Sequence, residues 1–215
     1  MTGKYLISGG CILTLGERTP NLPIGDVLIE DGRITEVGQG IRSRNAEQID
    51  ASDCIVMPGF VDSHRHSWRT LFRNIDGHAQ RERLLEAQLG PDDIYAAALT
   101  GLKSALAAGI TTVVDWADPP SPNDALEPLL EAHRDSGARV VSVISSSIDA
   151  DTIGSAARGE NGSLSIAFGG EATTATETAA EWGLAREMGL RIHHHLELDD
   201  TRGRVEELDL SLIHI

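Results

Sequence analysis

The sequence predicts an α/β protein in which a small N-terminal β domain precedes about five βα units. Three observations carry this. Asp31-Gly32 sits between the alternating runs Val27–Glu30 and Arg33–Val37, a strong two-residue hairpin signal. Gly109, Gly137 and Gly189 each end a helix-like stretch just before an apolar run, as a left-handed C-terminal residue does. After Pro58, apolar runs alternate with helix patterns and no hairpin signal recurs, so the strands are expected to be parallel.

In chain order, Tyr5-Leu6-Ile7 and Cys11-Ile12-Leu13 read as strands split by Gly9-Gly10, and the Asp31-Gly32 hairpin follows. Residues 1–57 are assigned to this β domain. Beyond it, strands are expected at about 56–62, 110–115, 138–144, 164–168 and 190–196. The helix starts agree. Pro91 follows Gly90, Ser121-Pro122 places proline at a first helical position, and Thr174-Ala175-Thr176-Glu177 fits a capping box. Five such strands make either an open doubly wound sheet or the first part of a (β/α)8 barrel.

Composition narrows the partners. Among 215 residues, 33 are acidic and 18 basic, a net charge of −15, which argues against a nucleic-acid polymer. No apolar run approaches a membrane span, and the N-terminus does not look like a signal peptide. Cys11 and Cys54 stand far apart without a Cys-x-x-Cys pair. They are read as small buried hydrophobes in a reducing cytoplasm.

The chemistry concentrates in Met57-Pro58-Gly59-Phe60-Val61-Asp62-Ser63-His64-Arg65-His66. Side chains alternate along a strand, so His64 and His66 share a face and supply half of a transition-metal site. His193, His194 and His195 lie in the fifth predicted strand, with His193 and His195 on one face. Function in parallel sheets and barrels collects at the C-terminal strand ends, where both His groups fall. Asp62 shares the face of the pair and could orient a ligand. Trp68 and Arg73 are candidates for the substrate mouth, and Asp115 and Trp116 for a substrate contact. His78 and His133 lie in polar helix-like stretches and are expected on the surface.

A β domain leading into the 57–66 run resembles the amidohydrolase superfamily, in its cytosine deaminase and triazine hydrolase branch. Ala108–Asp115 and Gly189–His195 support the likeness, which extends to about residue 209. The resemblance implies a partial TIM-like (β/α)8 barrel over residues 58–209, with the N-terminal part of a β-sandwich before it. It also implies one divalent metal ion, usually zinc and sometimes iron, activating water for attack on a C–N bond. Carried over, His64 and His66 are first-strand ligands. His195 is the strand-five ligand, with His193 as fallback. Many deaminases of the branch place a Glu three residues after that His. Position 198 is Leu here, and Glu197 fits only in a shifted register. Leu164–Phe168 lacks the Lys of the binuclear branches, which favours a mononuclear site. The implied substrate is a small heterocycle, with deamination the leading reaction. The full-length protein is expected to be cytoplasmic, and a homo-oligomer is compatible with the reading.

The family's strand-six His and strand-eight Asp have no counterpart in this sequence. Residues 210–215, Leu-Ser-Leu-Ile-His-Ile, resemble the translation of a transposon end used in preparing DNA libraries, and read as a non-native tail. The chain is therefore expected to be a truncated fragment, poorly stable and inactive by itself. A non-catalytic metal-binding module is the alternative. An open sheet binding a nucleotide ranks below both, because no Gly-rich phosphate loop follows the first strand.

Overall fold

A computed structural model describes residues 3–73, 89–119, 122–158, 163–170 and 175–194. The chain divides into two compact units, Met1–Gly59 and Phe60–Ile215.

The first unit is a five-stranded mixed sheet built from β1 (Lys4–Ile12), β2 (Leu22–Glu30), β3 (Arg33–Gly38), β4 (Glu47–Asp50) and β5 (Ile55–Val56). β1 pairs antiparallel with β2 and parallel with β4 and β5, and β2 pairs antiparallel with β3. The two-residue turn has φ of 49° at Asp31 and 77° at Gly32, the positive pair a type I′ hairpin requires. Gly9-Gly10 does not split the first strand as expected. β1 runs through it with register shifts between Ile7 and Ile12. Gly9 takes φ 80°, and its N–H donates to Asp26 Oδ1, so a bulge replaces a break. Cys11 is half-buried and Cys54 exposed, both free. The expectation of two buried thiols fails at Cys54 because it lies in the turn between β4 and β5.

In the second unit every described strand is parallel to its neighbours. β6 (Phe60–Arg65), β7 (Ile110–Ala117), β8 (Arg139–Ser145), β9 (Leu164–Gly170) and β10 (Arg191–His194) pair in strict sequence order. The expected 56–62 strand is in fact two elements, β5 and β6, separated by Met57-Pro58-Gly59, where proline offers no N–H to a ladder. The crossovers contain α1 (Pro91–Ala107), α2 (Pro122–Asp135), α3 (Ala150–Arg158) and α4 (Ala175–Glu187). Pro91 opens α1, and Asp93 accepts from the Gly90 N–H at 3.0 Å. Gly109, Gly137 and Gly189 have φ of 83°, 80° and 70°, the left-handed values expected of helix-ending glycines.

Sequential order decides between the two architectures left open by the sequence. A doubly wound sheet reverses its strand order once and places helices on both faces. Here the order never reverses, and the two faces bury different things. One face carries Val113, Ala117, Val140, Ile144, Ile166 and Phe168 into a core with Ile94, Leu102, Leu129 and Leu130 of the helices. The other face collects Trp116, Val143 and Ala167, with Val114 and Val141, and among the described residues no helix residue joins that cluster. A parallel sheet with helices on one face is the wall of a partial (β/α)8 barrel. No described helix is long and apolar enough to cross a membrane.

Candidate metal centre

His64 lies in β6, and His66 follows the strand's last residue. Their ring centroids are 5.2 Å apart and nearly perpendicular at 72°. Both rings meet Trp116 of β7, with centroids 5.8 Å from His64 and 6.3 Å from His66. Trp116 belongs to the helix-free face, so the pair stands on the inner side of the barrel wall.

Gly169 explains how Trp116 fits there. A Cβ at Gly169 would lie 3.1 Å from Trp116 Cζ3 and 3.0 Å from Val143 Cγ1, so a side chain would push the indole away. His193 pairs in register with Gly169. His194 instead packs its ring against Trp182 of α4 at 6.3 Å, on the helix side. Alternation then puts His193 on the inner face. Burial, and secondly the nearby Arg191 charge, hold the His193 imidazole below its ordinary pKa. His195 and Glu197 lie outside the described residues, as do His78 and residues 210–215. Among the described residues, no group of three His, Cys, Asp or Glu side chains converges tightly enough to hold an ion.

Two carboxylates at the end of β7 anchor the segment that follows the His pair. Asp115 faces the helix core and is fully buried. It accepts from Ser67 N–H at 2.6 Å and Ser67 Oγ at 2.6 Å, and its Oδ2 lies 2.7 Å from His133 Nε2. This corrects two expectations. Asp115 cannot touch a substrate, and His133 of α2 is not a surface residue but fully buried. The polar pattern of α2 concealed His133 because its partner is a carboxyl group buried beneath the helix.

Asp118, three residues later, lies just beyond β7. Its Oδ1 is 2.8 Å from His66 Nδ1 and accepts from Trp68 Nε1 at 2.9 Å, and its Oδ2 receives Arg69 Nη2. Burial alone would raise the Asp118 carboxyl. The hydrogen bonds and charges of His66, Trp68 and Arg69 outweigh it and hold the group below the usual carboxylate range. The sequence reading missed Asp118. Its signal is the spacing in Asp115-Trp116-Ala117-Asp118, which sends the two carboxylates to opposite faces at a strand's C-terminal end.

The remaining candidates separate clearly. Asp62 accepts from Arg65 Nη1 at 2.9 Å and from the His64 backbone N–H at 3.3 Å, so it braces the strand rather than a ligand ring. Trp68 is 1% exposed and packs edge-on against Phe72 at 5.8 Å, so its body belongs to the core and not to a substrate mouth. Arg73 is exposed, at the end of the 3-10 turn Ser67–Phe72. α1 closes over that turn at Gly101, where a Cβ would lie 2.5 Å from Thr70 Oγ1 and 2.8 Å from the Ser67 carbonyl oxygen.

The model of the amidohydrolase family matches residues 55–211. The chain belongs to the amidohydrolase family. The 5'-deoxyadenosine deaminase of Methanosarcina acetivorans is 33% identical over 117 residues, which are 51% of this chain and 27% of that protein. The 5-methylthioadenosine/S-adenosylhomocysteine deaminase of Symbiobacterium thermophilum is 35% identical over 125 residues, 52% of this chain and 28% of that one. Among solved structures, a triazine hydrolase from Arthobacter aurescens superposes with a TM-score of 0.77 at 24% identity, over 96% of this chain and 55% of that one. An atrazine chlorohydrolase from Arthrobacter aurescens complexed with zinc gives 0.76 at 24%, over 95% and 55%. At that identity the two structures speak for the fold, and they agree with a partial barrel. The chain spans little more than half the length of these structures, and the matched stretch about a quarter of the curated relatives.

Proposed function

We infer that this amidohydrolase belongs to a metal-dependent hydrolase that cleaves non-peptide C–N bonds of a cyclic or heterocyclic substrate, with deamination its leading reaction. The observation that carries this reading is the His64/His66 pair. Two imidazoles stand side by side at the C-terminal end of the first barrel strand, where barrel enzymes keep their chemistry. The donor set fits a divalent ion in part. Two imidazole nitrogen donors suit zinc or iron, and zinc is preferred because a structurally similar atrazine chlorohydrolase is described with it. His195 is proposed as the strand-five ligand, with His193, half-buried on the inner face, the alternative.

When bound, such an ion supplies Lewis acidity and brings the pKa of water toward neutrality. This chain's residues do the rest of the positioning. Trp116 backs both rings and excludes water from behind them. Asp115 and Ser67 fix the backbone immediately after His66. Glu197 is the candidate for proton transfer and Arg73 for a substrate contact. The relatives named as deaminases of 5'-deoxyadenosine and of methylthioadenosine or S-adenosylhomocysteine make a 6-aminopurine nucleoside the first substrate to try.

The test combines metal analysis of the full-length protein with an ammonia-release screen over aminopurine nucleosides and aminotriazines. Expected are one equivalent of metal and ammonia release, both lost in His64→Ala and in His66→Ala. Metal content unchanged by either substitution would overturn the reading. Metal bound through the pair without turnover on any substrate would favour the second reading, a non-catalytic metal-binding module, for which the described residues supply two imidazoles.

A further inference from the structure

We propose that His133, on the outer helix α2, is a positioning residue for the metal centre: through Asp115 it pins the backbone just beyond His66. The proposal rests on the metal-centre reading for what the pinned segment presents, whereas the pin itself does not depend on an ion.

His133 and Asp115 both stand where packing alone would place an apolar side chain. On α2, Leu126, Leu129, Leu130 and His133 follow the i, i+3, i+4, i+7 stripe of a core-facing helix, and all four are buried. On β7, Val113, Asp115 and Ala117 alternate onto one face, and all three are fully buried. Val113, Ala117, Leu126, Leu129 and Leu130 belong to a single apolar cluster, so the imidazole and the carboxyl interrupt an apolar layer. Stability gives His133 little reason to be there. Its Nε2 lies 2.7 Å from Asp115 Oδ2, but its Nδ1 is buried with no hydrogen-bond partner among the described residues. A buried polar atom left unpaired costs more than one ordinary hydrogen bond returns, and a leucine would complete the stripe without that cost.

The interruption is aimed at one place. Arg65, the last residue of β6, pairs in register with Asp115. The Asp115 carboxyl reaches past that partner to Ser67, accepting its N–H on Oδ1 and its hydroxyl on Oδ2, each at 2.6 Å. His66 is the residue in between, with φ −121° and ψ 86°. The strand ladder thus fixes the chain before His66, and the carboxyl fixes it after. His133 meets the same Oδ2 as the Ser67 hydroxyl, so it sets how far the carboxyl can turn. A carboxyl free to turn would let Ser67 shift, and the His66 side chain would move against His64, which the strand itself carries. Ligand constellations work only when their supports hold them to within about 0.5 Å.

The test uses the full-length protein and has two arms. In the first, amide hydrogen exchange of the metal-free protein reads the pin. His133→Leu should speed exchange at Ser67 by about tenfold and leave the amides of β8 protected. His133→Gln, whose amide reaches the position of the imidazole Nε2, should exchange as wild type does. His133→Asn, polar but too short to reach Asp115, should behave as His133→Leu, so the outcome does not hang on one variant folding. In the second arm, competition titration with zinc should show about tenfold weaker binding in His133→Leu and His133→Asn, the lower end of the cost of losing support behind a ligating His. His133→Gln should restore the affinity. Leu129→Ala, a core truncation on the same helix face, should lower stability and leave both the Ser67 exchange and the zinc affinity near wild type. Ser67 exchange indifferent to His133→Leu and His133→Asn would overturn the proposal. So would a zinc affinity that Leu129→Ala weakens as much as His133→Leu does, since the effect would then follow stability alone. The expected Ser67 response in a protein that binds no zinc would uphold the pin and overturn the metal-centre reading instead.

Discussion

Replacing Asp115 with alanine should be among the most damaging single changes in the barrel unit. The carboxylate is fully buried and receives three contacts, from Ser67 N–H, Ser67 Oγ and His133 Nε2, at 2.6, 2.6 and 2.7 Å. Its removal leaves polar groups of Ser67 and His133 in a dry core, and each unsatisfied group costs about 1–3 kcal/mol. Ser67 Oγ can turn to find another acceptor, whereas the Ser67 N–H and the His133 ring are fixed by the chain and by packing. With the Ser67 N–H and the His133 ring both left unpaired, the loss should come to about 3–5 kcal/mol. That is a large share of a typical domain's stability of about 5–15 kcal/mol. For a chain of this size the melting temperature should fall by about 6–20 °C. Urea unfolding of wild type, Asp115→Ala, His133→Leu and the double variant measures it. The double variant should be less destabilised than the sum of the singles by about 1–3 kcal/mol, because the second change removes a partner already orphaned. A loss below about 1 kcal/mol in Asp115→Ala, or strict additivity, would mean that water reaches the cluster, and the account of a closed polar clamp would fail.

Two further outcomes are expected. Gly101→Ala, in the middle of α1, should destabilise by about 1–3 kcal/mol in urea unfolding, because the new Cβ meets Thr70 Oγ1 and the Ser67 carbonyl at 2.5 and 2.8 Å. At an uncrowded helix position the same change stabilises by about 1 kcal/mol, so the sign alone decides. Asp149 caps α3, and the Thr152 N–H and then its hydroxyl hold the carboxyl below its ordinary 3.8. A depressed carboxylate contributes stability above its unfolded pKa and loses it as pH falls through the folded value. Acid unfolding followed by circular dichroism should therefore begin at higher pH in wild type than in Asp149→Asn, which keeps an N-cap acceptor that does not titrate.

The parallel strands were legible because each signal is local. A glycine with φ of 70° or more cannot be hidden, and Gly109, Gly137 and Gly189 mark where β7, β8 and β10 begin. The choice between an open sheet and a barrel wall was not legible from residues alone. It depends on strand order, which no single segment encodes, and the family resemblance anticipated it. At the site, the His64/His66 spacing could be read because alternation along a strand is a rule of the backbone. Asp118, Ser67 and His133 could not, because their roles depend on contacts across 52, 48 and 18 positions of chain. Trp68 misled for a related reason. A tryptophan beside a candidate site looks like a substrate wall, and only packing shows that its ring faces Phe72.

The joints between helices and strands have a consequence for how such a protein can change. Ala108 and Gly109 alone separate α1 from β7, and Ser136 to Ala138 and Met188 to Leu190 do the same for β8 and β10. Each joint turns on a left-handed glycine, so a residue inserted there would rotate the next strand's side chains onto the wrong face. The opposite ends carry no such restriction. β6 reaches α1 through residues 66–90, at the end where His66 and Asp118 meet. Insertion is therefore resisted at these three joints, while recognition loops at the rim where His66 and Asp118 meet can be exchanged without recutting the frame that holds the imidazoles.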